Sequence, residues 1–407
     1  MKVLIVTLPL AGHANPAAAL AGRLAARGHE VAWAGSELML RPMLGPDAVI
    51  LRTGSRLFRE QGGTGIASIR SLWTRFIVPY AKFLLPGVER AVRAFEPDVL
   101  VVDQHAVAGA IVARRHGLPW ATLVCSAMEL TDPYRALPGL TGWTRDQLVG
   151  LWTGAGLAAE DFADPRWSPQ LVLAQTVREL TGDVAGVALV GPLIGERAAP
   201  PFPFDRLDPY RRHLLVTMGT LADDLTADFH GRVLAGLPDT VQAVVVAPRE
   251  QLPDVPDTVL VAERVPMLDL LPHMDVVLGH GGVNTTSEAL ANGVPLVLAP
   301  IRHDQPEMAR QVVAAGAGVR VRFRRATPAQ LSAAVTDVLD DPAYRAAARR
   351  IGVAMRAAGG ADTAAELVER LQRTVSAGAS SVVRRHIQPL AWRAAVRAGT
   401  SDTRSTP

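Results

Sequence analysis

Short apolar runs alternate with longer stretches of helical pattern along most of the chain, and this alternation limits the possible folds more than any other feature. Seven runs precede residue 192, namely KVLIVTL, EVAWA, AVILR, DVLVVD, WATLV, LVLA and VALVG. Six more begin at residue 213, namely HLLVTM, QAVVVA, TVLVA, DVVLG, PLVLAP and GVRVRF. Runs without a polar face, separated by helices, are typical of parallel sheets covered on both sides. The sequence therefore predicts an α/β protein with two doubly wound, Rossmann-like domains facing each other across a cleft.

A proline-rich segment separates the two series of runs. It reads GERAAPPFPFDRLDP and covers residues 195–209, and such a composition interrupts regular structure and is typical of linkers. We therefore predict an N-terminal domain at residues 1–197, a linker at 198–209 and a C-terminal domain at 210–373.

The remaining residues, 374–407, form a basic tail. Five arginines against one aspartate give the tail a net charge of +4, so the rest of the chain carries −1 of the total of +3. The tail is either a flexible extension or a short helix that binds an interface or a partner through its apolar residues. A near-neutral body, in which aromatic residues are not interleaved with basic ones, argues against nucleic acid as a partner.

Composition also bounds the compartment. Among 407 residues, no apolar run is as long as a membrane span. Cys125 is the only cysteine, which excludes an internal disulfide and a cysteine-based metal site and fits a reducing environment. The first apolar run is short for a signal peptide, and only Lys2 precedes it. The chain is therefore predicted to be cytoplasmic, with no transmembrane segment.

The stretch LPLAGHANP, residues 8–16, places a single histidine just after the first apolar run. Asn15 suits a helix N-cap, Pro16 the first helical position and Gly28 the residue after a helix end, so we predict a helix over residues 16–27. His13 would then lie in the turn between strand and helix. By itself it is a solvated turn residue, a core histidine or a general base.

The other strand ends narrow these alternatives. In doubly wound sheets, ligands bind beyond the carboxyl ends of the strands. Asp103 ends the run DVLVVD, and Met218 to Thr220 follow the first run of the second series, so all of them are expected to border the cleft. Asp103 could instead cap the following helix, and His105 competes with His13 for the polar partner of Asp103.

A glycine-rich turn follows the run DVVLG. It contains His280, Gly281 and Gly282 and leads into a helix predicted from Thr285 to Asn292. Glycines allow an anion to approach the backbone closely, and a helix start offers free N–H groups. This turn is therefore a candidate phosphate cradle. It lacks the lysine of a P-loop and the GxGxxG of a dinucleotide-binding turn.

The residues in and after this turn resemble a known signature. Glu288 lies eight residues after His280, and an Asp-Gln pair starts sixteen residues after Glu288. Together with the opening Gly-His-x-Asn-Pro, this pattern resembles the UDP-glucuronosyl/glucosyltransferases and bacterial antibiotic (macrolide-type) glycosyltransferases, which use nucleotide sugars and have the GT-B fold. The resemblance extends to about Arg373.

The resemblance implies a role for each matching residue. His13 would be the base that activates an acceptor hydroxyl, and Asp103 would orient it. Glu288 would accept hydrogen bonds from ribose hydroxyls, while Asp304 and Gln305 would hold the sugar. The diphosphate and the rest of the donor would be bound by the remaining positions, Thr220, Val265, His280, Gly281, Gly282, Asn284 and Thr285.

Two positions depart from the family pattern. Where many relatives have a tryptophan that stacks on the nucleobase and a glutamine three residues later, this chain has Arg264 and Met267. An arginine plane can also stack on a base. The nucleotide is therefore predicted only as UDP or dTDP.

The implied reaction is a direct displacement with inversion at the anomeric carbon. The positive end of the helix after His13 would disfavour its imidazolium before the reaction, and Asp103 would stabilise it as it forms. The chain contains no Asp-x-Asp pair, so the diphosphate is predicted to be held without a metal. No cofactor is predicted beyond the nucleotide sugar as co-substrate.

Large apolar residues in the variable regions could line an acceptor pocket. Trp73, Phe76, Tyr80 and Met128 are predicted to contact a lipophilic small-molecule acceptor, a secondary-metabolite aglycone, although ordinary core packing also explains them. A nucleotide-sugar epimerase and a non-catalytic auxiliary protein that activates a partner transferase are the competing functions. A homodimer is a further expectation.

Overall fold

A computed structural model describes residues 1–56, 65–126, 128–131, 137–197, 199–219, 223–252 and 255–379. Its strands are β1 Lys2–Val6, β2 Glu30–Gly35, β3 Val49–Arg52, β4 Val99–Asp103, β5 Trp120–Val124, β6 Leu171–Ala174, β7 Ala188–Leu189, β8 Arg212–Thr217, β9 Val241–Val246, β10 Val259–Ala262, β11 Val276–Gly279, β12 Leu296–Leu298 and β13 Gly318–Arg320. Each coincides with one of the thirteen predicted runs.

The helices lie between and after the strands. They are α1 Ala11–Ala26, α2 Glu37–Leu44, α3 Ile66–Ser71, α4 Val78–Phe95, α5 Ala108–His116, α6 Pro138–Gly154, α7 Arg178–Thr181, α8 Asp223–Ala235, α9 Met267–Leu270, α10 Val283–Ala291, α11 Gln305–Ala314, α12 Pro328–Asp340, α13 Pro342–Ala357 and α14 Gly360–Ala379. A π-helical turn, Leu72–Ile77, joins α3 to α4. No helix in the described part of the chain is both long and apolar enough to cross a membrane.

The first seven strands form one parallel sheet in the order β3-β2-β1-β4-β5-β6-β7. Side chains alternate between its two faces. Leu4 and Val6 of β1 belong to one apolar layer, and Val3 and Ile5 belong to the other. Because both faces are covered, the strands have no polar face, which is why the sequence shows continuous apolar runs.

The last six strands form a second parallel sheet, in the order β10-β9-β8-β11-β12-β13. Apolar residues again cover both faces, with Leu215 of β8 in one layer and Leu214 and Val216 in the other. The structure confirms the predicted fold class of two doubly wound, Rossmann-like α/β domains. In each sheet the chain order reverses beside an inner strand, β1 or β8, and such switch points are where ligands bind.

The first helix begins earlier than the sequence predicts. α1 starts at Ala11 with Leu10 as its N-cap, and the N–H groups of His13 and Ala14 donate to the Leu10 carbonyl over 2.9 and 2.8 Å. The prediction of an N-cap at Asn15 is therefore wrong, because Pro16 is accommodated inside the helix at its sixth position. His13 lies in the first helical turn rather than before it.

The last helix returns to the N-terminal sheet. Ala364, Ala365 and Val368 of α14 are buried in the same apolar layer as Leu20 of α1. Glu369 also accepts a hydrogen bond from Arg27, the C-cap of α1. The chain therefore crosses between the two sheets twice, and the predicted C-terminal domain at 210–373 includes a helix that packs on the other domain.

The predicted tail also begins too early, because α14 continues to Ala379. The helix can extend through residues 374–379 because this segment contains no proline, so every residue has a backbone N–H, and Gly378 is its only glycine. Residues 380–407 lie outside the described part of the chain, so both predictions for the tail remain predictions.

Candidate active site

An imidazole and a carboxylate meet where the chain order reverses in the first sheet. Asp103 is the last residue of β4, which pairs with β1, and His13 follows β1 on α1. His13 Nδ1 lies 2.5 Å from Asp103 Oδ2. The aspartate side chain is fully buried, whereas 16% of the histidine side chain is exposed. The pair therefore presents its imidazole, and not its carboxylate, to the cleft.

Three donors hold the Asp103 carboxylate in place. Besides His13, the Thr7 hydroxyl donates to Oδ2 over 3.2 Å and the His105 backbone N–H donates to Oδ1 over 2.8 Å. Burial raises the pKa of this carboxyl, but His13 and His105 outweigh burial and hold the pKa below its usual value. Asp103 therefore remains ionised near neutral pH. Its contacts with His13 and Thr7 show that it does more than cap the following helix, the alternative role considered from the sequence.

His105 forms a second imidazole–carboxylate pair that the sequence analysis missed. Its Nε2 lies 2.9 Å from Glu129 Oε1, and the Gln104 amide donates to the other Glu129 oxygen over 2.8 Å. Burial opposes protonation of His105, but Glu129 dominates and raises its pKa. His105 thus uses its backbone on Asp103 and its side chain on Glu129, which leaves His13 as the imidazole partner of Asp103.

Cys125 completes a small cluster beside this pair. Ligand atoms of His13, Asp103 and Cys125 all lie within 4.8 Å of one another, which is close enough for the three side chains to contact one metal ion. Burial raises the pKa of the Cys125 thiol well above its usual value. A protonated thiol is a poor metal ligand, so this donor set fits a metal badly.

The predicted phosphate cradle follows β11 in the second sheet. α10 begins at Val283, two residues before the predicted start, with Gly282 as its N-cap. The His280 ring lies between two glycines: a Cβ at Gly219 would lie 2.6 Å from its Cε1, and a Cβ at Gly282 would lie 2.6 Å from its Nε2. Glycine is therefore required at both positions for the ring to sit where it does.

Within the part of the chain that the structure describes, His280 makes no ion pair. Burial lowers its pKa to about 4, and the positive charge of Arg302 acts in the same direction, whereas a hydrogen bond with the Thr217 backbone opposes the change. Its Nδ1 is buried without a hydrogen-bond partner among the described residues. The imidazole is therefore neutral near pH 7 and carries one N–H. With that proton on Nδ1, in place of the bond to Thr217, the N–H can be donated to an anion.

Two predicted donor residues on α10 contact groups from other parts of the chain. The Asn284 amide donates to the Ala11 carbonyl at the start of α1 over 3.5 Å. Glu288, in the middle of the helix and therefore not a cap, bonds Arg197. Thr285 lies half-buried in the first turn of α10. These contacts bring the predicted donor helix against α1 and against residue 197.

Asp304 and Gln305 lie at the start of α11. Asp304 occupies the N-cap position but makes no capping hydrogen bond. Its carboxylate instead accepts a hydrogen bond from the side chain of Ser126 in the other domain. Burial raises its pKa. The side-chain Oε1 of Gln305 accepts hydrogen bonds from the backbone N–H groups of Ile301 and Arg302, both over 2.9 Å. The side-chain Nε2 is therefore the end left to reach a sugar.

The residue before this pair has an unusual backbone. His303 has a φ of +54°, in the left-handed region that residues other than glycine seldom adopt. Such strain tends to collect at functional sites. Glu307, one turn after Asp304, accepts from Thr131 of the first domain over 2.5 Å. The start of α11 is therefore fixed against the loop that follows β5.

The other predicted donor positions are less informative. Val265 is partly buried and packs against the apolar layer of the second domain. Gly281 has a φ of +86°, and a Cβ at this position would lie 3.1 Å from the backbone carbonyl oxygen of Gln305. Thr220 lies outside the described residues, so its predicted contact with the diphosphate remains a prediction.

The four predicted acceptor residues are buried. Trp73, Phe76 and Tyr80 belong to the apolar layer of the first domain, and Phe76 stacks on Tyr80. Trp73 meets the edge of His105, and only 2% of Met128 is exposed. Core packing therefore accounts for their positions in this structure, and their contact with an acceptor remains a prediction.

Comparisons with known proteins fit this geometry. Residues 231–373 match the family described as erythromycin biosynthesis protein CIII-like, C-terminal domain. The chain is 28% identical to the 4'-demethylrebeccamycin synthase of Lentzea aerocolonigenes, over 91% of this chain and 99% of that protein. It is 29% identical to the elloramycin glycosyltransferase ElmGT of Streptomyces olivaceus, over 90% of this chain and 97% of that one.

Solved structures show the same architecture. The glycotransferase of kitacinnamycin superposes with a TM-score of 0.73 at 26% identity, over 91% of this chain and 98% of that one. The calicheamicin glycosyltransferase CalG4 superposes with a TM-score of 0.74 at 22% identity, over 92% and 98%. The chain therefore has the GT-B fold, with an EryCIII-like C-terminal domain, and is a homologue of the glycosyltransferases of antibiotic biosynthesis.

Proposed function

We propose that this protein is an inverting, metal-independent glycosyltransferase. It moves a sugar from a UDP- or dTDP-sugar to a hydroxyl of a lipophilic small molecule, a secondary-metabolite aglycone. One observation carries the proposal: the 2.5 Å contact between His13 and Asp103 lies at the switch point of one sheet, and a glycine-rich cradle around His280 lies at the switch point of the other. A base and an anion site on opposite domains suit transfer between two bound molecules.

His13 acts as the general base. Its Nδ1 faces Asp103, so Nε2 is the nitrogen that accepts the proton of the acceptor hydroxyl. As that proton moves, the acceptor oxygen bonds the anomeric carbon and the bond from that carbon to the diphosphate breaks. Asp103, which stays ionised, stabilises the imidazolium that results. Attack on the face opposite the leaving group inverts the anomeric centre.

The second domain stabilises the leaving group. The diphosphate gains negative charge as the bond breaks, and the N–H groups at the start of α10 point toward such an anion. Neutral His280 adds one N–H donor, and Thr220, Asn284 and Thr285 complete the set. This arrangement supplies the stabilisation that a metal ion gives in other transferases. Activity is therefore expected to survive EDTA.

The names of relatives support the acceptor class. They include the aklavinone 7-beta-L-rhodosaminyltransferase of Streptomyces galilaeus and the demethyllactenocin mycarosyltransferase of Streptomyces fradiae, at 27% and 28% identity. We therefore propose an antibiotic-type aglycone as the acceptor and place the reaction in the cytoplasm. A homodimer is proposed as the assembly and is checked by sedimentation.

The test uses purified protein with panels of UDP- and dTDP-sugars and of lipophilic aglycones. Release of nucleoside diphosphate is expected only when an acceptor is present, and NMR should show an inverted anomeric configuration in the product. Turnover of the nucleotide sugar without an acceptor would point to an epimerase. Failure to bind any nucleotide sugar would point to an auxiliary protein. Loss of activity in EDTA would contradict the metal-free mechanism.

A further inference from the structure

A small cavity with a mixed polar and apolar lining lies between the two domains, beside the predicted ribose carboxylate. Its wall includes Asn15 on α1, Gln175 just after β6, and Asn284, Ser287 and Glu288 on α10, and the segment 192–197 closes one side. Three parts of the chain therefore meet at this cavity: the first domain, the second domain and the segment that leads into the linker. The family signature accounts for Asn284 and Glu288 only.

Arg197 is the charged partner of Glu288 in this cavity. Only 6% of Glu288 is exposed, and among the described residues the one ion pair recorded for it is with Arg197. Burial raises the pKa of Glu288, and Arg197 opposes that rise. A buried carboxylate without a partner tends to take up a proton, so Arg197 favours the ionised form that accepts hydrogen bonds.

Gln175 provides an independent indication that a polar ligand belongs here. Only 4% of this residue is exposed, and its side-chain Nε2 has no hydrogen-bond partner among the described residues. Buried amides are normally satisfied, because leaving one unpaired costs about 1–3 kcal/mol. Since Gln175 lines the cavity, its amide is placed to donate to a group that enters there.

We propose that the nucleoside end of the donor site is an interdomain pocket completed by two residues outside the family signature. Arg197 is a positioning residue, which holds Glu288 ionised and oriented toward the ribose hydroxyls. Gln175 binds the nucleoside directly through its side-chain amide. This inference rests on the proposed function, because it presumes that the second domain binds a nucleotide sugar.

The experiment measures binding of UDP and of inorganic pyrophosphate by calorimetry, at pH 8 and pH 6. Pyrophosphate occupies the cradle around His280 without a nucleoside, so it reports on the diphosphate contacts alone. Wild-type protein should bind both probes. Arg197→Gln should weaken UDP about tenfold at pH 8 and further at pH 6, because unpaired Glu288 then takes up a proton as the pH falls. Pyrophosphate affinity should not change.

Further variants separate positioning from structure. Arg197→Lys keeps the charge and should restore the wild-type pH profile for UDP. Gln175→Leu should weaken UDP severalfold at both pH values and leave pyrophosphate unchanged. Arg206→Gln is the matched control, because Arg206 is an exposed linker arginine that does not line the cavity, and this variant should bind both probes normally. Thermal unfolding of each variant should match the wild type.

Each outcome decides between the claims. An Arg197→Gln protein with wild-type UDP affinity and pH profile would overturn the positioning role while leaving the proposed function intact. Equal losses of UDP and pyrophosphate would mean that Arg197 acts on the diphosphate, which also overturns it. Normal UDP binding by Gln175→Leu would remove Gln175 from the site. A wild-type protein that binds pyrophosphate but neither UDP nor dTDP would refute the donor site itself.

Discussion

Each half of the molecule places a histidine beyond the carboxyl end of an inner strand, yet the two imidazoles have opposite surroundings. His13 contacts a buried, ionised aspartate over 2.5 Å. Among the described residues His280 has no carboxylate beside it, and burial lowers its pKa to about 4. An imidazole next to a carboxylate can hold a proton that it receives, whereas a buried imidazole without one resists protonation.

The comparison shows that the fold supplies position and the neighbours supply chemistry. Both domains have the same doubly wound architecture, so the sheet alone does not distinguish a base from an anion donor. The difference comes from Asp103 at the end of β4, for which the described residues around His280 offer no counterpart. Four experiments test this contrast, in order of decreasing expected effect.

Replacing His13 should have the largest effect. His13→Ala removes the base, so the rate of sugar transfer should fall about 1,000-fold, within the usual range for general-base catalysis. Affinity for dTDP should stay the same, because His13 lies in the other domain. Turnover assays and calorimetry measure the two quantities. His116→Ala is the control, since His116 also pairs with a carboxylate, Glu89, but on the surface; full transfer by the His13 variant would refute the base assignment.

Replacing His280 should affect the donor instead. His280→Ala removes one donor to the diphosphate, so dTDP affinity should fall roughly 10- to 100-fold, as for other hydrogen bonds to charged groups. Between pH 6 and 8 the wild-type affinity should show no titration of this imidazole, because its pKa is about 4. NMR of the imidazole across that range checks the second point. A charge change near pH 6.5 would contradict the neutral-donor assignment.

Two glycines near the histidines should respond differently to alanine. A Cβ at Gly282 would collide with the His280 ring, whereas a Cβ at Gly12 has no atom within 4 Å. Gly282→Ala should therefore weaken dTDP binding about tenfold, because the ring must move. Gly12→Ala should leave dTDP affinity unchanged and stabilise α1 by about 0.5 kcal/mol. Equal behaviour of the two variants would show that the His280 ring is free to shift.

A third histidine isolates the effect of burial on stability. His230 on α8 is 2% exposed, and burial lowers its pKa to about 4. The unfolded chain therefore takes up a proton between pH 6.5 and 4 that the folded protein refuses, so the free energy of unfolding falls as the pH drops through this window.

Between pH 7 and pH 5 the free energy of unfolding of the His230→Leu protein should fall by about 1–2 kcal/mol less than that of the wild type, as expected from linkage. Denaturant unfolding at both pH values measures the difference from wild type. That difference is the relevant quantity, because the raised pKa of His105 adds stability in the opposite direction as the pH falls. A His230→Leu protein with the wild-type pH dependence would show that burial alone does not shift the histidines of this domain.

Local patterns in the sequence predict most of this molecule. Every strand is visible as an apolar run, and the approach of His13 to Asp103 follows from two strand ends in one parallel sheet. The start of α1 was mispredicted because Asn15 and Pro16 are favourable N-cap and first-turn residues, but the backbone already turns at Leu10. Propensity identifies where a helix can start, and the packing of the preceding loop decides where it does.

Contacts between distant segments account for what the sequence could not predict. Glu129 and Arg197 lie in irregular segments, without a periodic pattern to reveal their partners His105 and Glu288. The return of α14 to the first domain is of the same kind. Ala364, Ala365 and Val368 lie on one face of α14, but an apolar stripe does not identify the surface that it covers.

The position of α14 also determines how proteins of this architecture can be recombined. The first domain is not a contiguous piece of chain, because Ala364, Ala365 and Val368 of α14 are buried with apolar residues of α1. A chimera that exchanges residues 1–197 alone would join α1 from one parent to α14 from another and would mismatch their buried surfaces and the Arg27–Glu369 pair. An exchange of the first domain should therefore transfer residues 1–197 and the last helix together.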